Sequence, residues 1–365
     1  MAGPLARRYR RLLFCYPRTH RRDELLATLL DAAPPGRTRP TAREAANLIR
    51  HGLRARLGRP ASRTVGAWAI LATIISGIFA AAFATRAAWE TAEPLPRAAQ
   101  TRAMLAEILP GQEFIGIEDA PAAFTIYGAP LSWATVDDLL LGDGGEYALA
   151  EVGGVVRGVP TRSPQEALDL ARQRLLATGW TVYRPVVHDM YGCVGPPCDP
   201  ATLPTSTTLL ARRGNTTLAI EADSADSMNS VVDTTYLSAS FQRTTPPAVY
   251  PFAIIGGLAG AVVAFLLFSW ASRRTTGRHP ARWVVTTLFH VTMVFWWAPT
   301  LVAVPSSVWH HLDEPHPSWR PMWEWLGQPV FSLFFVVGGG CALLGVALAA
   351  LPRPRTETVP TTAPS

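Results

Sequence analysis

The chain has 365 residues, 48% of them hydrophobic and only 16% charged, where a soluble domain carries about a quarter charged. Its net charge is +6 and its mean hydropathy is +0.15. That balance excludes a disordered, fibrous or small disulfide-stapled protein and points to a multi-pass membrane protein.

Residues 1–64 come first, with 15 arginines against 4 acids. Three short helices are expected here. The first runs from Leu5 to Cys15. The second, Arg21 to Ala32, carries Leu25, Leu26, Leu29 and Leu30 on one face. The third, Thr41 to Leu57, opens on T-A-R-E, a capping box with Thr41 as N-cap and Glu44 three residues on. Pro34, Pro35 and Gly36 separate the second from the third, and Gly58 and Pro60 end it.

The pattern around Tyr16-Pro17, Glu24 to Ala33, Gly36 to Pro40 and Glu44 to Gly58 resembles the cytoplasmic N-terminal segment of actinobacterial multi-pass integral membrane proteins of unknown function. Asp23 stands where that pattern commonly has glycine. The resemblance implies class and location and brings no activity with it. The absence of lysine among the 33 basic residues fits a GC-rich bacterial genome. The segment reads either as a docking platform for a protein partner or anionic headgroups, or as charge that only fixes topology.

Four apolar runs are each long enough to cross a hydrocarbon core of roughly 30 Å. They are Val65 to Thr85, Val249 to Trp270, Trp283 to Val304 and Val330 to Leu351. The first begins too far along the chain for a signal peptide and reads as an uncleaved anchor. The domain plan is a cytoplasmic helical segment 1–64, span 65–87, an extracytoplasmic domain 88–247, span 248–271, a cytoplasmic loop 272–282, span 283–304, an extracytoplasmic loop 305–329, span 330–351 and a disordered tail 352–365.

Charge sets the threading. Residues 90–247 hold 10 arginines and 19 acids, whereas Ser272 to Arg282 has four arginines and no acid. The positive-inside rule then places both termini in the cytoplasm of a plasma-membrane protein. The positive total reflects this division and is no signal for nucleic acid. Trp68, Trp89, Trp270 and Trp283 lie near span ends, where indoles favour the interface.

The domain between the first two spans should be α+β. Arg97 to Leu109 reads as a helical stalk, and Glu113 to Ile117 and Ala123 to Tyr127 as strands. Ser163-Pro164-Gln165-Glu166 is a helix start, with Gly179 placed to end that helix. Trp180 to His188 is then a strand, Gly214-Asn215 turns a hairpin between Thr208–Arg213 and Thr216–Ala222, and Thr234 to Arg243 is a last strand.

Little here names a reaction. There is no G-x-S-x-G, H-E-x-x-H, Walker A or Rossmann glycine pattern. Cys193 and Cys198, in C-V-G-P-P-C, are expected to form a disulfide outside the reducing compartment. Their spacing differs from the C-x-x-C of thioredoxin-like redox pairs.

Glu221 to Asn229 has a calcium-loop flavour but lacks the EF-hand glycine and glutamate, so it reads as a polar loop. His310, His311, Asp313, Glu314 and His316 could ligate a transition metal, or belong to an interfacial loop resting its tryptophans on lipid. His290, inside the third span, is expected to hydrogen-bond to a neighbouring helix. Gly256 and Gly260 form a G-x-x-x-G, and Gly338 to Gly340 should permit close packing; a homo-oligomer is compatible with both.

The overall expectation is a non-enzymatic membrane protein without cofactor. Its external domain binds a ligand or partner, and its basic segment docks. The alternatives are an accessory subunit of a transporter or envelope assembly, and a metal-dependent envelope enzyme using the His310–His316 loop.

Overall fold

The computed structural model describes residues 3–17, 21–58, 62–126, 128–141, 147–157, 162–189, 205–224, 237–277, 279–313 and 329–352. In chain order its helices are α1 (Pro4–Leu12), α2 (Arg22–Asp31), α3 (Ala42–Arg56), α4 (Arg63–Trp89), α5 (Ala98–Ile108), α6 (Val136–Leu141), α7 (Pro164–Ala177), α8 (Val249–Arg274), α9 (Arg282–Asp313) and α10 (Pro329–Ala349). Its strands are β1 (Phe114–Ile115), β2 (Phe124–Ile126), β3 (Ala129–Pro130), β4 (Tyr147–Leu149), β5 (Val152–Val156), β6 (Thr181–Val182), β7 (Val186–Asp189), β8 (Thr205–Arg213), β9 (Thr216–Ser224) and β10 (Leu237–Arg243).

Four stretches are long and apolar enough to cross a membrane: Arg63–Trp89, Val249–Arg274, Arg282–Pro305 and Phe331–Ala349. The chain divides into two compact units, one of residues 1–81, 255–298 and 334–365, the other of residues 82–254 and 299–333.

In the first unit, α1 to α3 surround a small core of Leu5, Tyr9, Leu13, Tyr16, Leu26 and Leu48. The helices of the spans meet through small residues, which let backbones approach closely. A Cβ on Gly260 would lie 2.2 Å from the Ala80 Cβ, and one on Gly77 would lie 3.2 Å from the Gly257 carbonyl. Gly338 gives room for Trp296, whose ring atoms a Cβ there would meet at 2.6 Å. Trp296 stacks on Phe335, and its indole N–H donates to the Phe335 carbonyl at 3.2 Å. Thr292 donates to the Gly338 carbonyl at 3.0 Å.

The second unit is α+β. Its larger sheet has seven antiparallel strands in the order β1-β5-β10-β9-β8-β6, with β7 also on β8. Strands β6 and β7 share one flank of β8, pairing with Ala211–Arg212 and Thr205–Thr208 respectively, and Pro185 lies between them. Alternation puts Leu209, Ala211, Leu218, Ile220, Ala239 and Phe241 into the core with Leu105 of α5 and Leu175 of α7. The Ser163 capping box forms, and Gly179 takes the left-handed conformation at φ 79°. Gly214, at φ 59°, turns the β8–β9 hairpin, whose register pairs Arg213 with Thr216.

Three details depart from expectation. Strand β5, sequence V-G-G-V-V, lies inside the large sheet although its glycines are poor strand formers. A separate sheet, β3-β2-β4, packs on the last turns of α4. There Trp89 is buried at 1% exposure, among Ala82, Ala88, Phe124 and Val249, and does not rest on lipid. Helix α9 also runs on through Pro299 and Pro305 to Asp313, well past Val304.

Candidate functional site

The first unit gathers the chain's densest positive charge on a folded element. Its anchor is Glu44. Thr41 caps α3 by accepting from the Glu44 N–H at 3.2 Å, and the Glu44 carboxylate accepts the Thr41 N–H at 3.1 Å. The same carboxylate accepts both terminal nitrogens of Arg37 at 2.9 Å and the Tyr9 hydroxyl at 3.2 Å. These bonds, Arg37's first, hold the Glu44 carboxyl below the ordinary carboxylate range. Burial and the neighbouring carboxylate push the Tyr9 phenol up.

One carboxylate therefore joins α1, the Pro34–Arg39 link and α3. Arg56 closes the other end, donating to the carbonyls of Cys15 at 2.7 Å and Phe14 at 2.6 Å. Gly52 lets α3 approach, since a Cβ there would lie 2.8 Å from the Cys15 Cβ.

With the core facing inward, the polar face is left to arginine. Arg7, Arg8, Arg10, Arg11, Arg43 and Arg50 are all exposed. Among the described residues, the ion pairs of this element involve only Arg21 and Arg37. Apolar side chains break the basic surface: Phe14 is 64% exposed, and Ile49 and Leu53 lie one turn apart on α3 at 38% and 37%. A surface of this kind can hold an anionic partner while laying apolar groups on it.

The element is fixed to the end of α8. Ser272 donates to the Leu57 carbonyl at 2.8 Å. Gly58, at φ 70°, lies so close to Arg273 that a Cβ would fall 2.6 Å from its Cγ. Arg274 of the same helix end donates to the Ala350 carbonyl at 3.0 Å.

The other sequence candidates fall as follows. Cys193 and Cys198 lie outside the described residues, while Cys15 and Cys341 are free thiols. His310, His311 and Asp313 belong to the last turn of α9, and Glu314 and His316 lie outside the described residues. Among the described residues no cluster of three or more His, Cys, Asp or Glu side chains could hold a metal. Glu221 and Asp223 belong to strand β9, where backbone pairing to β8 and β10 replaces the expected loop.

His290 bonds within its own helix, its Nδ1 2.7 Å from the Thr286 carbonyl. Its link to another helix is an edge-on ring contact with Trp68 at 4.6 Å.

One further residue, outside the sequence candidates, is Arg86 in the last turn of α4. Its guanidinium lies 3.5 Å over the Phe124 ring, donates to the Tyr147 hydroxyl at 2.9 and 3.0 Å and pairs with Glu90 at 2.6 Å. This joins the small sheet to the end of the helix. Its only local signal is the Arg86–Glu90 spacing of four on a helix.

No family model matches the chain, and neither a curated protein nor a solved structure does.

Proposed function

We propose that the chain is an integral plasma-membrane protein that works by binding, not by catalysis. The basic element of α1 to α3 docks on the cytoplasmic side, and the α+β domain receives a ligand or protein partner outside. The observation that carries this reading is the basic element: a folded piece with its own core, six exposed arginines and a direct hydrogen bond to the end of α8. Charge that only fixed topology would need neither a core nor a fixed seat. On the α+β domain, Trp133 and Leu141 are 93% and 73% exposed, which suits contact with another surface.

Orientation is tested with single cysteines in a background lacking the native four. Glu118→Cys should react with an impermeant maleimide in whole cells, and Arg50→Cys only after lysis. Labelling of position 50 in intact cells would reverse the threading. Docking is tested by crosslinking the full-length chain in native membranes. Crosslinks from the basic element to one partner should disappear when Arg7, Arg8, Arg10 and Arg11 are changed to glutamine. Their persistence at full yield would leave the arginines a topological role alone.

A further inference from the structure

Helices α4, α8 and α9 line a half-open cavity of about 170 Å³ built entirely from residues of the first unit. It is graded from polar to apolar. Thr64, Ser272 and Thr275 stand at one end, and Trp68, Phe268, Phe289 and Met293 make most of the rest apolar. Thr286 and His290 are the polar groups beyond that end, with His290 edge-on to Trp68 and bonded back to its own helix. The chain dictates that order. Thr64 is in the first turn of α4 and Thr275 directly follows α8, while the aromatic and methionine side chains lie one to three turns further along their helices. An apolar cavity of about 150 Å³ can hold a benzene molecule, so this one has room for a short run of lipid chain.

The polar end is also positive. Arg63 opens α4 beside Thr64, and Arg282 opens α9 one turn before Thr286. Two helix N-termini thus bring partial positive charge to this end. α8 ends here, and Arg273 and Arg274 in its last turn offset its negative terminus. No acidic residue occurs between Ala45 and Trp89 or between Val249 and Leu312.

We infer that this cavity binds the headgroup-proximal part of one acyl chain of an anionic phospholipid, with the phosphate beside Arg63 and Arg282 and the chain running past Trp68 and Phe268. Charge and gradient together select that occupant. A free anion would leave the apolar depth empty, and a neutral apolar molecule would make no use of the positive potential that Arg63, Arg282 and the two helix N-termini bring to the cavity's polar end. The inference stands apart from the docking role of α1 to α3.

The test uses full-length protein, stripped of lipid by extended detergent washing. It is offered phosphatidylglycerol or phosphatidylcholine of matched chains, and bound lipid is counted by native mass spectrometry. One phosphatidylglycerol per chain should be retained, and inorganic phosphate should not displace it. Thr286→Trp fills the cavity from α9 and Val65→Trp from α4, and each should abolish retention. Thr287→Trp, one residue outside the lining, should retain the lipid. Arg63→Gln and Arg282→Gln should each weaken phosphatidylglycerol binding about fivefold without affecting phosphatidylcholine. Retention by either filled variant, displacement by phosphate, or equal retention of the two lipids overturns the inference.

Discussion

Replacing Arg86 by methionine keeps the apolar stem and deletes the guanidinium that clamps the small sheet. The side chain is 24% exposed and Glu90 is 58% exposed. Their ion pair is therefore largely screened and contributes about 0.5 kcal/mol or less. The contact with Phe124, at 3.5 Å from the ring centre, contributes about 1–2 kcal/mol in a partly desolvated setting. Donation to the Tyr147 hydroxyl adds about 1.5 kcal/mol for a charged donor. One guanidinium serves all three, so the contributions do not add fully, and a net loss of about 2 kcal/mol is expected.

The loss is local, so the readout should be local. Hydrogen exchange of the full-length protein, followed by mass spectrometry, should show the amides of β2 and β4 exchanging roughly 30-fold faster. Those of β9 should be unchanged. Glu90→Gln should change exchange less than about threefold. If Arg86→Met leaves β2 and β4 within that range, or Glu90→Gln matches it, the clamp is not what holds the sheet.

Gly153→Ala should destabilise the large sheet by about 1–3 kcal/mol, because the new Cβ would lie 2.3 Å from the Ala239 carbonyl oxygen and 2.6 Å from the Ser240 Cα; faster exchange in β5 and β10 reports it. Glu44 has its pKa depressed from 4.5 by Arg37. Its stabilising effect is present above that unfolded value and lost as pH falls through the lower folded one. Pulsed pepsin cleavage of residues 1–58 should therefore separate wild type from Glu44→Gln at the upper end of that window, and the difference should vanish in stronger acid. Cys193 and Cys198 should be found linked when protein from intact cells is alkylated without reductant; two alkylated thiols would show that they are not.

What could be read from the sequence was local. Thr41 and Glu44, or Ser163 and Glu166, stand three residues apart, and a capping box needs nothing beyond that spacing. Gly214-Asn215 likewise marks a turn on its own. β5 escaped notice because its glycines oppose a strand, and its place depends on neighbours such as Ser240, about 87 residues on. Arg86 carries no strong signal in the sequence, because Phe124 and Tyr147 arrive from distant positions. Pro305 invited a helix end, yet α9 continues through it: proline forfeits one hydrogen bond, which a long helix can absorb with a kink. Position alone places Trp89 at the interface, while its burial depends on the small sheet covering it.

The split flank of β8 has a consequence for how the large sheet stands toward other chains. A long, straight outer strand offers a row of free amides and carbonyls to any passing chain and invites uncontrolled polymerisation. Here one border of the large sheet is the two-residue β1, and the opposite border is broken by Pro185, which has no amide hydrogen to offer. Among the described residues, neither border presents more than a few consecutive bonding positions. The domain can therefore sit at high density without its sheets growing into one another.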